Sequence, residues 1–282
     1  MNEELSLDRQ KVLQNIELFE KEGRFNDDVE DDVPGRPIKP NEIDYLNKKL
    51  KNKIATHFSN RLAIKYFDGE IKKGNLIIKD IKGFENYLNV RDKGVIITCN
   101  HCNIYDNYII FKVIQKDLGR KHLWKVIKEA NYTSFPGLFG KLFRHCNTLP
   151  LSSNRDTMKK FMVAMDTLLK KNEKVLIYPE QAMWWNYKKP RPFKPGAFRF
   201  AVSSNVPVLP CFLTMENSDK RAPDGSFYQE YTLHIFPAIY GDPNLSEKEN
   251  AKIMADKNYD IWKSCYESTY NKKLTYLCDS KE

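Results

Sequence analysis

The sequence predicts an α/β fold, a largely parallel sheet flanked by helices with an N-terminal helical arm, and three observations carry that prediction. Six short apolar runs recur along the chain, and segments with helical spacing separate most of them. Several of these runs are nearly continuous in apolar residues, as in Val95-Ile96-Ile97, which is the pattern of strands buried on both faces. An acidic, proline-rich stretch from Asp27 to Pro40 then sets the first helical segment apart from everything that follows.

The first element is an amphipathic helix over Ser6 to Glu22, with Leu5, Val12, Leu13, Ile16 and Phe19 on one side and Gly23 as its stop. Asp27 to Pro40 reads as an extended linker, so residues 1–40 form an acidic helical arm and linker, and residues 41–282 form the main domain. The arm either docks on the rest of the chain or stays a solvated acidic tail. Asn41 is placed to cap a long helix whose Ile43, Leu46, Leu50, Ile54, Phe58 and Leu62 recur at threes and fours, with Lys48, Lys49, Lys51 and Lys53 on other faces. Such a helix is expected to cover a core; lying on an anionic bilayer is the alternative. Strands follow at Leu76 to Lys79, around Val95, and at Leu123 to Ile127, Val175 to Tyr178, Val206 to Thr214 and Tyr231 to Phe236. Helices are expected near 104–118, 155–171, 195–204 and 246–271, and the residues after Gly225 as an antiparallel edge pair capped by the last helix.

A chain of 282 residues, 41% apolar and 12% aromatic, is long enough for one large core or a core with a small appendage, and it is neither disordered nor a repeat array. Its net charge of +9 is unevenly placed. Residues 1–44 hold 6 basic and 13 acidic side chains, against 40 and 24 in residues 45–282. So basic a body suits an anionic partner: a phosphate-bearing substrate, an anionic membrane surface or nucleic acid. The six cysteines are scattered, and the segment Met1-Asn2-Glu3-Glu4-Leu5-Ser6 lacks the basic and apolar regions of a signal peptide, so the thiols are read as reduced in the cytoplasm. No apolar run approaches the ~18 residues of a spanning helix, so any membrane contact is expected to be peripheral.

Titratable groups concentrate at Thr98-Cys99-Asn100-His101-Cys102-Asn103-Ile104-Tyr105-Asp106, where a buried strand hands over to a helix. Five residues apart on one regular helix, His101 and Asp106 would point about 140° apart and could not pair. With Asn103 as N-cap, His101 falls in the preceding loop and Asp106 in the first turn, and the chain can fold back to join them. A histidine held by an aspartate is an oriented general base. An acid favoured by the helix dipole beside an ordinary loop histidine is the other reading of the same spacing.

Three later stretches bear on that choice. Tyr178-Pro179-Glu180 ends another apolar strand, Lys194-Pro195-Gly196 with Ala201 follows, and Val206-Pro207-Val208-Leu209-Pro210 starts a further strand. Asn-His-x-x-x-x-Asp, Tyr-Pro-Glu, Lys-x-Gly-x-x-x-x-Ala and Val-Pro-Val-x-Pro, in that order across roughly residues 90 to 215, resemble the glycerolipid acyltransferases of the 1-acylglycerol-3-phosphate acyltransferase type. The resemblance implies acyl transfer from a thioester, acyl-CoA or acyl carrier protein, to the sn-2 hydroxyl of 1-acylglycerol-3-phosphate, a lysophosphatidate. No acyl-enzyme and no cofactor are expected. His101 is then the base and Asp106 its orienting acid, Glu180 shapes the acceptor pocket, and Lys194 lies beside the acceptor phosphate. Gly196 allows close backbone approach at a helix start. The protein would work at the inner face of an anionic membrane, with no nucleic acid as partner.

The chain also departs from that pattern. After the glutamate the family commonly has Gly, then Thr-Arg-Ser, where this sequence has Gln181-Ala182-Met183-Trp184-Trp185, so another lysolipid or glycolipid hydroxyl is the runner-up acceptor. The family's block of Gly, Phe and Arg is weak around Asn147 to Ser152, and Arg144 or Arg155 is read as supplying the missing guanidinium. Phe135 to Arg144, with Trp184, Trp185 and Lys188 to Arg191, is read as a lipid-facing rim, against a buried helix and an ordinary basic loop. Rival readings are a zinc site near Cys99, His101 and Cys102, a nucleophilic Cys102, and a non-catalytic protein binding anionic lipid or nucleic acid.

Overall fold

The computed structural model describes residues 4–31 and 34–281; Met1 to Glu3 and two linker residues of the sequence reading, Asp32 and Val33, lie outside the described residues. Helix α1 (Leu7–Glu22) comes first, then α2 (Leu50–Lys72), β1 (Ile77–Lys82), α3 (Phe84–Leu88), β2 (Val95–Thr98) and α4 (Asp106–Ile114). The middle of the chain runs β3 (Leu123–Ile127), α5 (Glu129–Thr133), α6 (Gly137–His145), β4 (Thr148–Pro150), α7 (Arg155–Lys170) and β5 (Lys174–Ile177). It closes with α8 (Gly196–Ser203), β6 (Val208–Arg221), β7 (Phe227–Ile235) and α9 (Glu247–Tyr270), then a 3-10 turn at Leu277–Lys281.

The strands form one seven-stranded sheet in the order β1-β7-β6-β2-β5-β3-β4. Among the named strands of the described residues, the β6–β7 pairing alone is antiparallel; β1 pairs parallel with β7 outside it, so the hairpin after Gly225 does not supply the sheet's edge as expected. Side chains of successive strand residues point to opposite faces, and the central strands therefore feed two cores. Ile97, Leu176 and Leu209 pack with Tyr108 and Ile109 of α4 and Phe67 of α2. Ile96, Val175 and Val208 pack with Phe161 of α7, Phe198 of α8 and Met254 of α9. All four residues of β2 and of β5 are buried, and the apolar runs Val95 to Ile97 and Val175 to Ile177 lie within them.

Helix α2 begins eight residues later than the cap at Asn41 predicts. Residues 41–49 are mostly turns and irregular chain, with Asn47 at φ 52°, and the Asp44 carboxylate accepts from Lys49 N at 2.8 Å and Asn52 Nδ2 at 3.0 Å where the helix starts. Ile43 and Leu46 do pack on the core, but from this irregular segment. The next four positions of the apolar stripe do not cover it: Leu50, Ile54, Phe58 and Leu62 are 73%, 50%, 64% and 43% exposed. Core contact comes from a different face further along, through Ile64, Tyr66, Phe67 and Ile71.

The N-terminal segment packs on the domain. Ser6 caps α1 by accepting from Arg9 N, and Gly23 ends it at φ 71°. Val12, Ile16 and Phe19 join Phe25 and Val29 in a cluster with Ala182 and Trp184, and the side chains of Glu20 and Asp28 pair with Lys189 and Lys128. Trp184 is fully buried there, so it is no part of a lipid-facing rim. The other half of that reading also changes: α6 turns Leu138, Phe139 and Leu142 onto the core shared with α2.

Candidate active site

Strand β2 delivers the site. Thr98 Oγ1 donates to Asn258 Oδ1 of α9 at 2.6 Å, and Asn100 then takes over the ladder to β6 with its side chain. Its Oδ1 accepts from Leu213 N at 2.8 Å and its Nδ2 donates to Leu213 O at 3.0 Å. Cys99 and Cys102 turn inward to the core, where burial pushes both thiols well above the usual range, which removes Cys102 as a ready nucleophile. His101 points the other way, with 22% of its side chain exposed.

Helix α4 starts at Asp106 with Tyr105 in the cap position, two residues after the predicted Asn103. Asn103 instead bonds sideways, its Nδ2 donating to Asn186 Oδ1 at 2.8 Å. The fold-back expected of this segment is present: His101 Nδ1 and Asp106 Oδ2 are 2.7 Å apart. Asp106 is wholly buried and the focus of five donors. Cys102 N and Asn103 N also point at Oδ2, at 3.3 and 3.4 Å, while Tyr178 OH and Asn107 N each donate to Oδ1 at 2.6 Å. The carboxylate facing Nδ1 favours the tautomer that has its proton on Nδ1. Among the described residues nothing hydrogen-bonds Nε2, which is left to meet a substrate.

The loop after β5 frames the same histidine. Tyr178 stacks on the His101 ring, centroids 3.9 Å apart and planes 9° apart. Glu180 Oε2 accepts from His101 N at 3.0 Å and from Arg191 Nη2 at 2.9 Å, and its Oε1 accepts from Arg191 N at 2.8 Å. Arg191 is itself buried, donates also to the carbonyls of Phe25, Ala182 and His101, and lies 4.7 Å over the Trp184 ring. Trp184 N and Asn186 N donate to the carbonyls of His101 and Cys102 at 3.0 and 2.7 Å, so the two loops are zipped together. Gln181 sits at φ 67°, the left-handed conformation that glycine adopts without strain.

Lys194 and Gly196 are close by in chain terms and in bonding. Lys194 N donates to Pro179 O at 2.9 Å, next to Glu180, and its side chain is exposed. Gly196 opens α8 with empty space where a Cβ would stand, so the free amides of that helix end are accessible. The two candidate arginines are elsewhere. Arg144 closes α6 before β4, at the amino-terminal end of the parallel strands, while His101 follows a carboxyl-terminal end; Arg155 is exposed at the start of α7 beside the edge strand. Neither is brought to the His101 pair.

Sequence reasoning missed three contributors: Asn100, Tyr178 and Arg191. The first two stand inside the quoted blocks and could have been suspected from their places beside His101 and Glu180. Arg191 lies in a run of lysines and prolines that carries no signal of burial.

Residues 82–214, from the end of β1 into β6, match the model of a family described as Acyltransferase. No curated protein matches the chain. Among solved structures it is similar to the 1-acyl-sn-glycerophosphate (LPA) acyltransferase PlsC from Thermotoga maritima, at 19% identity and a TM-score of 0.50 over 79% of this chain and 81% of that one. At that identity the likeness speaks for the fold.

Proposed function

We propose, for a chain whose residues 82–214 match the Acyltransferase family model, that this enzyme moves a fatty acyl group from a thioester donor to the sn-2 hydroxyl of 1-acylglycerol-3-phosphate. The observation that carries the reading is the buried Asp106 carboxylate holding His101 by Nδ1 with Nε2 turned outward. Nε2 takes the proton of the acceptor hydroxyl as its oxygen attacks the thioester carbonyl. When the tetrahedral adduct collapses, the carbon–sulfur bond breaks and the imidazolium returns that proton to the departing thiolate. Ester and free thiol leave, the histidine is neutral again, and no acyl-enzyme forms. Lys194 and the open end of α8 hold the acceptor phosphate, the helix amides and the ammonium both favouring an anion.

Contact with an anionic membrane belongs to the same reading, and α2 supports it. Its exposed ridge of Leu50, Ile54, Phe58 and Leu62 stands in a stretch, residues 45–67, that contains Lys48, Lys49, Lys51, Lys53, Arg61 and Lys65 and no acid. Apolar residues inserted at the headgroup level, each flanking cation adding about 1 kcal/mol against anionic lipid, make a peripheral anchor. The loop that departs from the family pattern, Gln181 to Trp185, favours a second acceptor reading, another lysolipid or glycolipid hydroxyl.

Thioester consumption with lysophosphatidate and a panel of other lysolipids, using acyl-CoA and acyl carrier protein donors, tests both. Native protein should acylate one acceptor, and folded His101→Ala should lose on the order of a hundredfold or more. Equal rates in the two proteins would remove His101 as the base.

A further inference from the structure

We propose that Tyr178 is a positioning residue that sets both the orientation and the basicity of His101, its ring fixing the imidazole plane and its hydroxyl drawing charge from Asp106. The inference rests on the reading of His101 as general base. Two contacts of one side chain carry it: the parallel stack at 3.9 Å and the hydrogen bond of 2.6 Å to Asp106 Oδ1.

Consider the imidazole's freedom. The bond from Nδ1 to Asp106 Oδ2 still allows the ring to swing about that contact, and the flat tyrosine face against it removes the swing, so Nε2 has one direction. Basicity follows from the other contact. A buried carboxylate beside an imidazole favours the imidazolium to the extent that other donors leave its charge uncompensated, and a histidine already protonated cannot take a proton from a hydroxyl. Each donor on Asp106 spreads that charge and weakens its pull on the imidazolium. The Tyr178 hydroxyl is the only side-chain donor besides His101 itself on this carboxylate among the described residues, and its length is that of a charge-assisted bond. Burial pushes the phenol far above the usual tyrosine range, so the group donates throughout any practical pH range.

The groups around the pair can be named element by element. Cys99 and Cys102 lie on the loop of His101, and Tyr105 and Asp106 come from the start of α4. Glu180 and Arg191 meet the backbone of His101 on the other side, and Tyr231 of β7 lies behind Asp106. The thiols and the phenol of Tyr231 are pushed up by burial, and Glu180 and Arg191 neutralise each other at 2.9 Å. Tyr178 is therefore the neighbour whose removal changes the charge available to His101 without creating a new one.

Tyr178→Phe keeps the stack and deletes the hydroxyl. With one donor fewer, Asp106 stabilises the imidazolium more, and the free base appears at higher pH. The acid limb of kcat/KM, measured with a monomeric short-chain lysolipid, should move up by about half a pH unit or more, with the high-pH plateau within about threefold of native. An NMR titration of the His101 ring in the substrate-free protein should show the same displacement without turnover. Tyr178→Leu, which also removes the stack, should lower the plateau itself by about tenfold or more. Replacement of Tyr178 by 3-fluorotyrosine, a stronger donor, keeps every packing contact and should move the limb downward, so the idea stays exposed even if a variant folds poorly. An acid limb unmoved in the phenylalanine and fluorotyrosine proteins overturns the proposal, whether or not their rates fall. Should His101→Ala prove fully active, the failure belongs to the base assignment instead.

Discussion

Two amphipathic helices open the chain and meet opposite fates. Helix α1 turns Val12, Ile16 and Phe19 into a cluster completed by Trp184, a residue far away in sequence, while the first half of α2 holds Leu50, Ile54, Phe58 and Leu62 out in solvent. The periodicity of the two is alike, and by itself it leaves the arm of α1 either docked or solvated and gives α2 as a cover for the core, with a bilayer surface as the alternative. What differs is the company each keeps. Around α1 the charges alternate and pair, Arg9 with Glu30 and Asp224, Glu20 with Lys189. Along residues 45–67, which carry the ridge of α2, every charged side chain is positive. A stripe at helical spacing says that a helix has an apolar face; the sign pattern beside the stripe says whether another part of the same chain can come near it.

The sharpest way to break this contrast is Arg191→Met. It leaves the buried Glu180 carboxylate without its cation and the Phe25 carbonyl without its donor, and breaking a buried pair in this way costs about 3–5 kcal/mol. Urea unfolding should show that loss, with limited proteolysis opening the α1 segment first; an unchanged midpoint would mean that the covered helix is no better anchored than the bare one.

The bare helix should answer to lipid instead. Ile54→Glu combined with Phe58→Glu is expected to lower binding to vesicles containing anionic lipid by more than about tenfold while turnover of a monomeric short-chain acceptor stays near native. Persistent vesicle binding would remove α2 as the anchor. The smallest effect completes the series: Phe58→Ala should change folding stability by no more than about 0.5 kcal/mol in the same urea experiment, as for other surface substitutions. A loss of several kcal/mol there would show the ridge to be covered in solution.

Much of the architecture was legible because buried strands cannot disguise themselves. Val95 to Thr98, Leu123 to Ile127 and Val175 to Ile177 are apolar runs bounded by turn residues, and all three are strands of one sheet. The histidine–aspartate contact was legible because the strand-to-helix junction leaves few ways for the chain to fold back. Boundaries fared worse where a side chain some residues away does the capping, as Asp44 does for α2. The position of β1 outside β7 left no trace, since pairing order is decided by contacts between segments and not by either segment's own pattern. Arg191 was hidden for the same reason: its partners come from residues 25, 101, 180 and 182, and an arginine among lysines reads as solvated until those partners are in place.

The loop that holds Glu180 is closed from both directions. Helix α1 lies on it through Trp184, and Tyr276 covers it from the far end of the chain, its ring 4.7 Å from Phe25 and its hydroxyl donating to the Pro190 carbonyl, while Leu277 N donates to Glu20 at 3.2 Å. During synthesis this closure has an order. Helix α1 emerges before Trp184 and must carry its apolar face uncovered until that residue has been added, and the lid over both cannot form before residue 276. At roughly 5–20 residues per second, the segment bearing His101 waits about 10–35 s for that last piece. A nascent chain therefore has His101 and Asp106 long before it has the frame that holds them.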